Sequence, residues 1–180
     1  MDTDNNTILD KIFKLAVQSH QKNDLELAES FYNQALKIDP NHLFSHNNLG
    51  ALFLSLNNPQ KAKEHFKKII EIDFNYKDAH NNLGAVFENL GENLKAISCF
   101  EKAIKIDPNS INANYNLANL LKKLEEFKKA INFYEKVIKI DPKNIESQYN
   151  LGISLKELRE NQKAISCFEK VIEINPNHLK

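Results

Sequence analysis

The chain has 180 residues, 42% apolar and 27% charged, which allows one domain with a sizeable core and excludes a disordered segment. Its 24 basic residues balance its 24 acidic ones, so there is no overall field with which to gather nucleic acid or an anionic membrane. Two cysteines are too few for a disulfide framework, and four glycines with no GxGxxG or GxxxxGKS/T string leave no phosphate-cradling loop.

The amino terminus, MDTDNN, is acidic and polar where a secretory signal starts positive and then runs apolar. No window reaches the length of a membrane span. These features predict a cytoplasmic protein in which the Asn5 sequon carries no sugar and Cys99 and Cys167 are small, reduced, buried thiols.

Pro40, Pro108, Pro142 and Pro176 are separated by 68, 34 and 34 residues, and the missing beat falls on Phe74, in IDFN where the other copies read IDPN, IDPN, IDPK and INPN. After a lead-in over residues 1–8, a frame of 34 divides the chain into copies at 9–42, 43–76, 77–110, 111–144 and 145–178, with 179–180 starting a truncated further one. The first copy carries Leu15-Ala16, then Ala28, Tyr32 and Ala35, and the second carries Leu49-Gly50, Ala62, Phe66 and Ile69. The third reads Leu83-Gly84, Ala96, Phe100 and Ala103; the fourth Leu117-Ala118, Ala130, Tyr134 and Val137; the fifth Leu151-Gly152, Ala164, Phe168 and Val171. Steps of three and four residues are helical, so each copy is predicted to form two helices of about four turns. The breaks fall near Asn23, Asn57, Gly91, Glu125 and Arg159 and again at the Pro-Asn stretch. Asn and Gly tolerate the left-handed backbone that ends many helices, whereas Glu125 and Arg159 have no such explanation. The Leu of each copy is expected to pack inward, and the small residue after it to let two backbones approach beside the aromatic.

This order of Leu-Gly/Ala, Ala, Phe/Tyr, Ala and Pro at a spacing of 34 resembles the tetratricopeptide repeat family over residues 9–178. Within that family it is similar to the asparagine-ladder type found in the repeat region of O-GlcNAc transferase. The resemblance implies an all-α fold, a right-handed superhelical solenoid of five two-helix repeats whose first helices line a concave face. Phe74 departs from the family's proline, and Ile12, His46, His80, Asn114 and Gln148 stand where the family often has Trp. A turn can lose its proline and the Trp site is permissive, so the expected fold is unchanged.

The sixth position of the frame holds Lys14, Asn48, Asn82, Asn116 and Asn150, one residue before the inward Leu and turned about 100° from it, toward the groove. Asparagine is mediocre in a helix interior, and four in register call for a reason other than stability. A carboxamide matches the N–H and C=O of a peptide backbone, so the row is predicted to hold an extended chain. Two other readings stay open: the asparagines bond only to neighbouring repeats, or duplication copied them. Asn47, Asn81, Tyr115 and Tyr149 precede the row and Asn119 lies three residues beyond Asn116; the tyrosines suit an interface and equally suit partial burial between repeats. Asp78 and Glu88 mark the third copy, and Lys122, Lys123 and Lys156 mark the fourth and fifth, where a partner carboxylate is favoured. Lys67 and Lys68, on a second helix, read as solvated outer surface. The chaperone-tail subfamily clamps a terminal carboxylate in the first copy with Lys and Asn; Phe13 and Val17 stand there, and that clamp is absent.

His42 and His46 stand four apart without a third ligand, and His20, His65, His80 and His178 are scattered. No nucleophile–base arrangement is fixed either, so no enzyme activity, metal or cofactor is expected. The expected function is a protein-interaction scaffold that binds an extended peptide in its concave groove, without nucleic-acid or membrane partners. An alternative is a substrate-recruiting or self-assembly region of a larger enzyme, such as a transferase, whose catalytic domain is absent from this chain. The PNHL of Pro176–Leu179 favours that alternative, because it repeats the PNHL of Pro40–Leu43, where a first helix begins. Ile165, Phe168 and Ile172, with Leu179, are expected to be partly uncovered, which points to a homo-oligomer through the carboxyl-terminal repeat.

Overall fold

In a computed structural model, the structure describes residues 2–176, all-α, with ten helices and no strands among those residues. In chain order these are α1 (Asp2–Gln21), α2 (Leu25–Ile38), α3 (Leu43–Ser55), α4 (Pro59–Ile72), α5 (Lys77–Asn89), α6 (Asn93–Ile106), α7 (Ile111–Lys123), α8 (Phe127–Ile140), α9 (Ile145–Glu157) and α10 (Asn161–Ile174). They alternate as five first and five second helices, and α1 begins upstream of the residues that carry the repeat pattern. The expected start of a further repeat, with His178 and Leu179, lies outside the described residues.

All five residues at the predicted first breaks take left-handed backbone: Asn23 (φ 61°), Asn57 (53°), Gly91 (74°), Glu125 (60°) and Arg159 (63°). Glu125 and Arg159 pay a steric cost there on the order of 1 kcal/mol, offset by how the helix end is closed. At the end of α7 the N–H of Glu125 bonds the carbonyl of Lys122 at 3.0 Å and that of Glu126 bonds Leu121 at 2.9 Å, and at the end of α9 Arg159 bonds Lys156 and Glu160 bonds Leu155, each at 2.9 Å, which is the paired bonding of a Schellman end. The backbone pattern therefore sets the conformation, and the side chain tolerates it.

At the second break the aspartate carries the turn. Asp39 Oδ1 accepts from Asn41 N–H at 2.9 Å, and Asp73, Asp107 and Asp141 repeat the bond two residues on at 2.9, 3.0 and 3.1 Å. Asp73 does so although Phe74 replaces proline, which is why losing the proline leaves this turn unchanged.

By its contacts the chain divides into two compact units, Met1–Leu90 and Gly91–Lys180. In the first, α1 packs on α2 and α3 on α4, while α2 meets α3 and α4 meets α5. In the second, α7 packs on α8 and α9 on α10, while α6 meets α7 and α8 meets α9. Each core is built from the small and aromatic positions of the frame: Ala28, Tyr32, Ala62 and Phe66 are fully buried in the first unit, and Ala96, Phe100, Ala130 and Tyr134 in the second. A Cβ at Gly50 would stand 2.6 Å from the Phe66 ring, and one at Gly152 would stand 2.7 Å from Phe168, so glycine is what admits the ring at both places.

One leucine departs from expectation. Leu49, Leu83, Leu117 and Leu151 are buried, but Leu15 is 45% exposed. The other four lie on first helices that are met by the second helix before them, whereas no described helix precedes α1. The other end shows the complementary effect: Ile97 and Ile131 are half-buried and their equivalent Ile165 is exposed; Ile104 and Ile138 are half-buried and Ile172 is exposed. Phe168 is half-buried where Phe66 and Phe100 are wholly enclosed.

Candidate functional site

In the first unit Asn48 on α3 and Asn82 on α5 are half-buried, and they sit where first helices adjoin. Asn82 Nδ2 donates to Asn47 Oδ1 at 3.2 Å, from one first helix to the next, and Asn81 Nδ2 donates to Asn82 Oδ1 at 3.3 Å. Asn81 is buried rather than open to a ligand. The Tyr32 hydroxyl lies 3.4 Å from His20 Nδ1, and its pKa is raised by burial and drawn back by the nearby Asn48. Asp78 is exposed and Glu88 half-buried on α5, and Lys14 is exposed on α1.

In the second unit Asn116 and Asn150 are likewise half-buried. Asn150 on α9 is held by three residues of α7: Lys122 Nζ donates to its Oδ1 at 2.7 Å, and its Nδ2 donates to Tyr115 Oη at 3.3 Å and to Asn119 Oδ1 at 3.4 Å. Tyr134 Oη on α8 donates to the same Asn119 oxygen at 2.6 Å. Burial lowers the pKa of Lys122 and pushes the Tyr134 hydroxyl far above the usual phenol range. Tyr149 is half-buried with its ring 5.7 Å from Phe168, while Lys123 and Lys156 are exposed. The structure thus joins Tyr115, Asn119, Lys122 and Asn150 into one cluster. Asn82 and Asn150 each bond side chains of the neighbouring repeat.

Three arrangements went unread in the sequence. Phe44, 58% exposed, lies with its ring 6.2 Å from Phe13 and 5.9 Å from His42, an aromatic patch on the first two first helices. Its signal is an apolar residue at a frame position that otherwise holds Asp78, Asn112 and Glu146. The residues at the family's Trp position tie down the preceding turn: His46 Nε2 lies 3.0 Å from Pro40 O, His80 Nε2 2.8 Å from Phe74 O, and Asn114 Nδ2 donates to Pro108 O at 3.1 Å. The six-residue offset common to all three was available in the sequence. His65, one of the scattered histidines, has its Nδ1 2.9 Å from His46 Nδ1 and its ring stacked on Phe53 at 5.5 Å. No local spacing announces a partner 19 residues away on the facing helix.

Among the described residues no three His, Cys, Asp or Glu side chains gather to hold a metal ion, and no helix is long and apolar enough to cross a membrane. Both cysteines are free thiols, and burial pushes Cys99 up to about 11 and raises Cys167, the opposite of an activated nucleophile.

Paired helices repeating every 34 residues, with polar side chains aligned on the first helix of each pair, define a helical-repeat protein. The chain matches the pattern described as tetratricopeptide repeat over residues 44–76, 78–110, 111–144 and 145–178, and a second pattern of the same description over 13–42. It belongs to the tetratricopeptide repeat family. No curated protein matches it. Among solved structures it is similar to MamA protein, at 26% identity over 93% of this chain and 92% of that one, with a TM-score of 0.80. It is also similar to YrrB, described as a TPR protein with an unusual peptide-binding site, at 23% identity over 93% and 87% of the two chains and a TM-score of 0.74. PilF of Pseudomonas aeruginosa follows the same fold, at 19% identity over 96% and 78% with a TM-score of 0.85.

Proposed function

We propose that this chain is a non-enzymatic scaffold, acting in the cytoplasm, that holds an extended segment of another protein along its first helices. Asn48, Asn82, Asn116 and Asn150 serve as the backbone-binding row. The observation that carries this reading is the row itself, four carboxamides at one frame position, each half-buried rather than enclosed. Asn82 spends one N–H and one lone pair on Asn47 and Asn81, half of what a carboxamide offers. Such lateral bonds fix the side chain in one orientation and lower the entropy lost on binding. Asn47, Tyr115, Asn119, Tyr149, Lys122, Lys123 and Lys156 form the surroundings of the row, and the five copies over 9–178 form the binding unit. YrrB, similar in fold, is described as having a peptide-binding site.

The test is the double variant Asn82→Ala, Asn116→Ala, with affinity capture of partners and thermal melting measured side by side. Alanine gains roughly 0.5 kcal/mol of helix propensity and loses a hydrogen bond worth about 1 kcal/mol, so melting should hardly move while partner capture falls. A large loss of stability with capture intact would show the asparagines to be structural.

A second reading is favoured by the exposure of Ile165 and Ile172 on α10, 47% each. The equivalent positions of the two preceding copies are half-buried, and self-association through α10 would cover these.

A further inference from the structure

Counting donors and acceptors in the α7–α9 cluster gives a one-sided result. Lys122 only donates, so its bond to Asn150 Oδ1 fixes that carboxamide with the nitrogen toward Tyr115 and Asn119. Asn150 then has both N–H groups engaged and one lone pair of its oxygen taken by Lys122. Asn119 Oδ1 accepts twice, from Asn150 and from Tyr134. Tyr115 Oη accepts from Asn150, which directs its own O–H elsewhere. What the cluster still offers is two N–H groups of Lys122, the O–H of Tyr115 and the amide N–H groups of Asn119, against a remaining lone pair on Asn150 Oδ1 and on Tyr115 Oη: donors predominate, around a cation.

The described contacts of Lys122 include no carboxylate, and burial of its stem works against the ammonium charge. A half-buried cation surrounded by neutral dipoles gains most from an acceptor-only anion. The exposed ammonium group of Lys156, in the last turn of α9, adds to the positive potential of the helix that carries Asn150.

We propose that Lys122, Tyr115 and Asn119, braced by Asn150, form a subsite that takes a carboxylate of the bound polypeptide, so that the second unit selects a segment with an acidic group at one fixed position. This rests on the peptide-binding reading above and adds the chemistry that the backbone row does not read. The carboxylate belongs either to an Asp or Glu side chain or to a free chain end, and the experiment separates the two.

Random octapeptide libraries are selected on the unsubstituted protein in two formats, one fused at both ends and one with a free carboxyl terminus, and the selections are repeated with Lys122→Met and Tyr115→Phe. Methionine keeps the apolar stem and removes the charge, and equal melting temperatures would show that it folds. The expected result is enrichment of Asp or Glu at one position of the fused library, lost with Lys122→Met and weakened with Tyr115→Phe. A selected peptide should then bind about tenfold tighter than its Gln or Asn counterpart, the scale of a charge-assisted hydrogen bond. Enrichment only in the free-ended library, removed by Lys122→Met, supports the subsite and assigns it to a chain terminus. Peptides selected without acidic preference, or with a preference that survives Lys122→Met, overturn the subsite while leaving the backbone row standing. Failure of both libraries to yield any binder overturns the peptide-binding reading and the subsite with it.

Discussion

His65 is the residue whose chemistry depends most on its surroundings. His46 Nε2 faces the carbonyl of Pro40 and so carries its proton, which leaves His46 Nδ1 to accept and His65 Nδ1 to donate. Burial first, then repulsion between the two rings once both are protonated and the charge of Lys61, lower the His65 pKa from 6.5 to about 4. The folded value lies below the unfolded one, so the contribution is whole above pH 6.5 and is lost as the pH falls toward 4. The shift corresponds to about 3 kcal/mol at most. Urea unfolding at pH 7 and pH 4.5 should show a steeper loss for the unsubstituted protein than for His65→Phe, the residue that Phe31 and Phe133 already supply at equivalent positions. Equal losses in the two proteins would remove His65 from the account.

Within an element the sharpest constraint is the pairing of small residue and ring. Copies with alanine carry tyrosine, as Ala16 with Tyr32 and Ala118 with Tyr134, and copies with glycine carry phenylalanine. The two tyrosine hydroxyls are bonded, Tyr134 to Asn119 at 2.6 Å and Tyr32 to His20 Nδ1 at 3.4 Å. A Cβ at Gly50 meets the fully buried Phe66 ring at 2.6 Å, and the ring has nowhere to retreat. Gly50→Ala is expected to cost about 1–3 kcal/mol despite the helix propensity of alanine. Gly152→Ala, at 2.7 Å from the half-buried Phe168, should cost less because that ring has an open side. Thermal melting of the two variants checks the order, and a reversed order would show that Phe168 is held as firmly as Phe66.

For the molecule as a whole the uncovered apolar positions matter most. Ile8 and Leu15 on α1 and Ile165 and Ile172 on α10 are each 45–47% exposed, and repeats bury such positions only against a neighbour. Light scattering over a dilution series should show mass rising with concentration, and Ile165→Glu with Ile172→Glu should return the protein to a monomer; a matching two-fold pairing is the simplest arrangement. A chain that stays monomeric at the highest concentration, and is unchanged by the glutamates, would end the self-association reading.

The sequence by itself determined the helices, their breaks and their small-large packing, because a period of 34 repeats each local signal five times, and even Glu125 and Arg159 could be placed by register before any conformation was known. It also placed the asparagines of the row on one frame position, since helical periodicity is a property of spacing alone. Which groups those asparagines bond was decided only by the tertiary structure. Asn82 reaches Asn47 35 residues away, Lys122 reaches Asn150 28 away, and His46 meets His65 19 away. Such pairs form where separate helices come within hydrogen-bond distance, and burial then sets which donors are spent, which pKa values move and which leucine, in this case Leu15, is left uncovered.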